Sequence, residues 1–247
     1  MIGLPDSISA LLFDLDGVLT ETAKVHAQAW EQTFDKLLRQ RAEKEGAEFV
    51  PFDRVRDYDE YVDGKPRYDG ARSFVESRGI QLPEGKEADP PGLDSIHAVG
   101  NLKNEIVLEL IAKQGVAAYE GSKRYLEAVQ EAGLARAVVS SSTNCRAVLK
   151  SAGIADFFET IVDGLVAERE GLAGKPAPDT FLEAAKMLGV APAQAVVFED
   201  ALAGVKAGHD GHFGYVVGVD RAGQAKELRD HGADVVVEDL AELLEHR

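Results

Sequence analysis

Short apolar runs alternate with amphipathic stretches along most of the chain. Ser9-Ala10-Leu11-Leu12-Phe13 reads as a buried strand, and Ala135 to Ser140, Thr160 to Asp163, Ala195 to Phe198, Tyr215 to Val219 and Asp234 to Val237 read as further short strands. The helical stretches between the later strands stop at Gly133, Gly153, Gly189 and Gly232, where glycine is suited to close a helix. Strands alternating with helices predict a parallel sheet.

Between the first and second strands the pattern is different. Trp30, Phe34, Leu37 and Leu38 recur at helical spacing, which predicts a helix of about six turns from Ala23 into the Arg39 to Glu45 charge run. Tyr58 to Gly70 reads as a polar loop, Ala71 to Arg78 as a helix stopped at Gly79, and Pro83 to Pro91 as an acidic loop. A further helix carries Ile96, Val99, Leu102, Ile106, Leu110 and Ile111. The economical model is an α/β protein: a doubly wound, Rossmann-like parallel sheet core at 1–22 and 115–247, interrupted by an all-α helical cap at 23–114. A cap hinged at a ligand crevice can act as a lid that excludes water.

Composition narrows the partners. A chain of 247 residues with 45% apolar content can bury a sizeable core. No apolar run approaches the roughly 20 residues that span a bilayer, and no basic, hydrophobic leader opens the sequence, so a cytoplasmic protein without membrane contact is expected. The formal charge of −16 repels a nucleic-acid backbone, while a small anion remains possible in a local cationic pocket. The single cysteine, Cys145, excludes an internal disulfide or a cysteine-based metal cluster.

Four segments carry candidate chemistry, all at strand ends. Asp14 and Asp16 follow the first strand, and alternate residues leaving an extended strand can address one ligand. Two carboxylates this close point to a metal site or an acid/base couple, the plain alternative being a solvated Asp-Gly turn. Ser140-Ser141-Ser142-Thr143-Asn144 brings hydroxyls and N–H groups to a helix start, where they bind an anion or simply let Ser142 or Thr143 cap the helix. Gly174-Lys175-Pro176-Ala177-Pro178-Asp179 fixes a lysine near the sheet edge. Glu199-Asp200 ends another apolar strand, and acids from two strands suit magnesium, which takes oxygen ligands.

In this order, Asp-x-Asp-Gly-Val, the strand-end serine, Lys-Pro-x-Pro-Asp and Glu-Asp resemble the four motifs of the haloacid dehalogenase-like phosphotransferase superfamily. Asp14 to Thr22, followed by His26 and Trp30, is similar to the β-phosphoglucomutase group, as are Arg67 in Asp63-Gly64-Lys65-Pro66-Arg67, the pair Lys103-Asn104, and Ser140 with Asn144. Ser141 stands where an alanine is common, and the stretches 43–56 and 83–94 look longer than in compact members.

That resemblance implies Asp14 as nucleophile, Asp16 as acid/base, and Lys175 and Ser140 as catalytic partners. It implies Thr22, His26, Arg67, Lys103, Asn104, Ser141 and Asn144 as substrate-binding residues, with Arg67 on the distal phosphate. Mg²⁺ would be held by Asp14, the Asp16 carbonyl and Asp200, with Glu199 as a direct or water-mediated ligand. The implied reaction interconverts β-glucose 1-phosphate and glucose 6-phosphate through an aspartyl phosphate and glucose 1,6-bisphosphate. The partner is then a small phosphorylated sugar, and a monomer is expected. The rival reading is a phosphatase of sugar phosphates or other small phosphomonoesters, in which water attacks the same aspartyl phosphate. His26 either bonds substrate or Asp16 from the cap hinge or is satisfied by backbone, and Trp30 belongs to the cap core rather than to a sugar platform.

Overall fold

The structure is a computed structural model and describes residues 2–245. The chain forms two compact units, one built from the segments up to Glu21 and from Val116 onward, the other from Thr22–Gly115.

The first unit holds β1 (Ala10–Phe13), β2 (Ala135–Val139), β3 (Thr160–Val162), β4 (Ala195–Glu199), β5 (Tyr215–Val219) and β6 (Val235–Val237) in one six-stranded sheet of order β3-β2-β1-β4-β5-β6. Every pairing is parallel. Central strands of such a sheet are covered on both faces, which is why β1 is apolar at every position and fully buried. On one face Phe13 stacks on Phe198 at 4.5 Å between ring centroids, and the Tyr125 ring meets both edge-on. On the other, Leu12, Val139 and Val197 pack with Phe181 and Ala184. The order places β1 between β2 and β4, where the winding reverses, and ligands of such sheets bind beyond the strand ends at that point.

The second unit is helical: α1 (Ala23–Glu45), α2 (Arg56–Tyr61), α3 (Arg67–Ser77) and α4 (Ile96–Gln114). Its core gathers Trp30, Phe34, Phe52, Phe74 and Val99, with Trp30 stacked on Phe34 at 4.8 Å. Here the structure corrects the polar loop expected over Tyr58 to Gly70. Asp53 Oδ1 shapes the turn that leads into α2, accepting from the N–H groups of Val55 and Arg56, both at 2.9 Å. Asp57 is buried between Arg56 and Arg78. Gly70 continues α3 instead of breaking it and is buried in the helix, beside Trp30 and Val62.

In the sheet unit, helices α5 (Glu120–Glu131), α6 (Cys145–Ser151), α7 (Gly164–Glu170), α8 (Asp179–Met187), α9 (Leu202–Asp210) and α10 (Ala225–Asp230) lie in the connections between strands, and α11 (Glu242–Glu245) follows β6. Neither Ser142 nor Thr143 is the N-cap of α6, which falls on Asn144. Ser142 Oγ instead accepts from the Asn144 N–H at 3.1 Å, tightening the turn before the helix. The short α7, hidden by its polar sequence, is capped by Asp163, which accepts from Val166 N–H at 2.9 Å. Among the described residues no helix is long and apolar enough to cross a membrane.

Candidate active site

Parallel register carries the ends of β1, β2 and β4 to one edge of the sheet. Asp14 extends β1 by one residue, its N–H donating to the Phe198 carbonyl at 2.9 Å, while Ser140 extends β2 by donating to Val162 at 3.0 Å. Lys175 reaches the same place from the loop before α8. Its Nζ donates to Asp14 Oδ1 at 2.6 Å, to Glu199 Oε1 at 2.5 Å and to the Val139 carbonyl at 3.2 Å. All three charged groups are buried. An uncompensated charge would be expelled from such a place, so the lysine and the two acids hold one another.

Acids still outnumber the cation. Burial pushes the Asp14 carboxyl up to about 6 against the pull of Lys175, with the Asp16 charge adding to the rise. Burial likewise pushes Glu199 up to about 7, and the Lys175 ammonium is raised by Asp14 and Glu199 despite its own burial. Asp200, also buried, joins them, and carboxylate oxygens of Asp14, Glu199 and Asp200 lie within 4.8 Å of one another. Excess buried negative charge from hard oxygen donors fits a magnesium-type cation. Both carboxylate oxygens of Glu199 are engaged, Oε1 by Lys175 and Oε2 by the Ala201 N–H at 3.0 Å.

Gly17 makes the approach of the two acidic loops possible. Its φ is +88°, and a Cβ there would fall 1.7 Å from Asp200 Oδ2. Asp16 is half-buried, and its backbone N–H bonds the Asp14 carboxylate. Ser140 Oγ accepts from Ser142 N–H at 3.1 Å, shaping the turn that carries Ser141 and Asn144. Asp14, Lys175, Glu199 and Asp200 thus converge, with the Ser140 turn following the Val139 carbonyl that Lys175 touches.

Two groupings lie in the helical unit. His26 Nδ1 stands 2.9 Å from Lys103 Nζ, and that ammonium also lies 4.9 Å from the Trp30 ring centre. Burial holds the His26 ring well below its usual pKa, and the Lys103 charge adds to the effect. Thr22 is buried and its carbonyl accepts from the His26 N–H at 2.9 Å. Arg67, at the start of α3, shares a cleft of about 320 Å³ with Asn104, Asn101, Glu87, Asp89 and Glu105. Its Nη2 donates to Tyr68 Oη at 3.2 Å, and that hydroxyl donates to Asn101 Oδ1 at 2.9 Å.

Sequence reasoning missed Tyr68 and Asn101, and it missed Arg221, which donates to the Gly17 carbonyl at 2.8 Å. The available signal for Arg221 was its position: like Asp14, Ser140 and Asp200, it closely follows an apolar strand.

A doubly wound parallel sheet that gathers buried carboxylates and a lysine at its switch point defines an α/β enzyme. The chain belongs to the haloacid dehalogenase-like hydrolase family, whose model matches residues 8–212. It is 54% identical over 247 residues to a β-phosphoglucomutase of Mycobacterium bovis, covering 99% of this chain and 94% of that protein. A β-phosphoglucomutase of Bacillus subtilis is 30% identical over 236 residues, covering 96% and 92% of the two chains. The crystal structure of a β-phosphoglucomutase from Clostridium difficile superimposes with a TM-score of 0.74 at 27% identity, covering 96% of this chain and 93% of that one.

Proposed function

We propose that this enzyme is a phosphosugar mutase that interconverts β-glucose 1-phosphate and glucose 6-phosphate, working as a cytoplasmic monomer. The observation that carries this reading over a phosphatase is Arg67 beside Asn104 in a cleft of the helical unit. A guanidinium suited to bidentate phosphate binding, next to an amide and carboxylates suited to hydroxyls, is what a bisphosphorylated sugar intermediate needs. The names of the relatives support the same reading.

Asp14 attacks the phosphoryl group through a carboxylate oxygen, forming an aspartyl phosphate as the bond from phosphorus to the donor oxygen breaks. Anionic nucleophile and anionic phosphate repel, and Lys175, bonded to Asp14, offsets that repulsion. Asp14, Asp200 and the Asp16 carbonyl would hold Mg²⁺, with Glu199 tying Lys175 in place and contributing directly or through water. When bound, the ion supplies further positive charge against the phosphate. Asp16 protonates the departing sugar oxygen and later takes the proton from the accepting hydroxyl. Ser140 and the Ser141 N–H bind the transferring phosphate, and Asn144 the substrate beside it. Thr22, His26, Lys103 and Asn104 face the sugar while Arg67 grips the distal phosphate. Glucose 1,6-bisphosphate then turns end for end, exchanging C1 and C6.

The test supplies β-glucose 1-phosphate, Mg²⁺ and a trace of glucose 1,6-bisphosphate, and follows glucose 6-phosphate and inorganic phosphate together. Glucose 6-phosphate as the main product is expected. Dominant inorganic phosphate would make the enzyme a phosphatase, and no reaction would reassign it to another sugar.

A further inference from the structure

We propose that Arg221 and Gln224 are positioning residues for the carboxylate site, holding its two acidic loops at the separation a metal ion needs. The proposal rests on the reading of Asp14 and Asp200 as metal ligands and is independent of which phosphate ester is turned over.

Both residues belong to the loop between β5 and α10. Asp220 opens that loop, and its Oδ1 accepts from the N–H groups of Ala222, Gly223 and Gln224 at 3.2, 2.7 and 2.8 Å. The loop is therefore folded on its own aspartate before it touches anything else. From it, Arg221 Nε donates to the Gly17 carbonyl at 2.8 Å, and Gln224 Nε2 donates to the Asp200 carbonyl at 3.0 Å. Gly17 and Asp200 lie where the two acidic loops approach each other, with no room between them for a single added carbon. One loop thus grips both sides of that approach.

The guanidinium is aimed from several directions. Nη1 donates to the Glu238 carbonyl at 2.7 Å and lies 3.7 Å from Asp239 Oδ2, and the guanidinium carbon sits 3.7 Å over the Tyr119 ring centre. Gly17 is held on its other side as well, its N–H donating to the Thr20 carbonyl at 2.9 Å. The Asp16–Gly17 and Gly17–Val18 peptides are thus each held by one bond, and the first of them carries the Asp16 carbonyl. Toward the carboxylate site, the contacts above from Arg221 and Gln224 reach the backbone carbonyls of Gly17 and Asp200, which set where the carboxylates stand. Groups that orient metal ligands in this way affect metal affinity or activity by up to about 10- to 100-fold, and the loss of a single bond to a backbone carbonyl corresponds to about 3- to 10-fold.

The experiment measures Mn²⁺ binding to the substrate-free protein by electron paramagnetic resonance, beside kcat and KM. Gln224→Met keeps the length of the side chain and removes the donor; Arg221→Met does the same, and Arg221→Lys keeps the charge. Gln224→Met and Arg221→Met are expected to weaken Mn²⁺ binding about 3- to 10-fold and to lower kcat similarly, with KM for the phosphate ester within about twofold. Arg221→Lys is expected to remain defective, because a point charge does not reproduce the aimed Nε. Wild-type Mn²⁺ affinity in Gln224→Met, or full rescue by Arg221→Lys, would overturn the proposal. Gln224→Met loses one bond at the loop end, so its folding is secure where that of Arg221→Met is not, and a melt in EDTA checks both. An unexpected product would leave the Mn²⁺ result standing.

Discussion

Lys175 Nζ stands 2.6 Å from Asp14 Oδ1, and the two groups are buried together although 161 residues separate them. The same nitrogen binds Glu199, so one cation holds two acids inside the sheet edge. Replacing it in Lys175→Met leaves both acids without that partner. Removing one member of a buried ionic group costs about 3–5 kcal/mol. Urea unfolding in EDTA at neutral pH should show a loss of that order, with turnover abolished. A wild-type midpoint would mean that Lys175 contributes to chemistry alone.

Gly17 tests the approach of the acidic loops directly. Alanine there would place its Cβ 1.7 Å from Asp200 Oδ2 and would have to adopt a φ of +88°. Asp200 must then move out of the set it forms with Asp14 and Glu199. Backbone strain of this kind costs about 1–3 kcal/mol, so Gly17→Ala should fold with a lowered melting point while Mg²⁺ activation requires far more metal. Normal Mg²⁺ dependence in Gly17→Ala would remove the geometric argument for this glycine.

What was legible in the chain, and what was not, divides along physical lines. Strands covered on both faces are mostly apolar, so β1 and the first four residues of β4 announce themselves as runs, and the acids that close them stand out. Local signals fail where long-range contacts decide. The start of α3 is polar and carries a glycine, and Gly70 is nonetheless a buried helical residue beside Trp30 and Val62. Arg221 sits in a polar loop and looks like any solvated charge until the fold brings the Gly17 carbonyl to it across 204 residues. Lys103 and Asn104 are neighbours in sequence, yet α4 turns Lys103 into the interior toward His26 while Asn104 lines the Arg67 cleft.

Arg67 depends on the residue next to it. Tyr68 Oη accepts from Arg67 Nη2 and donates to Asn101, whose amide nitrogen donates to the carbonyls of Glu87 and Asp89 at 2.9 and 2.8 Å. That chain of bonds ties the guanidinium to the acidic loop forming part of the same cleft. Tyr68→Phe removes the shared hydroxyl and keeps the ring. It should raise KM for the mutase substrate about 3- to 10-fold, the worth of roughly one hydrogen bond. Hydrolysis of a small phosphoester, which makes no use of a distal phosphate, should be unchanged. Arg67→Ala should do the same more severely, and equal losses in both activities would argue against a distal-phosphate role.

His26 gives the protein a predictable response to acid. Its ring is held well below the ordinary histidine pKa by burial and by the ammonium of Lys103, 2.9 Å away. A neutral Nδ1 accepting from that ammonium satisfies both groups, whereas a protonated ring would set two cations against each other. The unfolded chain takes up a proton near pH 6.5 and the folded one does not, so the unfolded state binds more protons below that pH. The stability is therefore complete above pH 6.5 and declines as the pH falls, by about 1.4 kcal/mol per unit for one group, until the folded ring itself titrates. His26→Gln offers Lys103 a carbonyl oxygen that does not titrate. Urea unfolding between pH 5 and 7 should show a slope smaller by one proton in His26→Gln than in the wild type, and identical slopes would mean that the ring takes up its proton in the folded state.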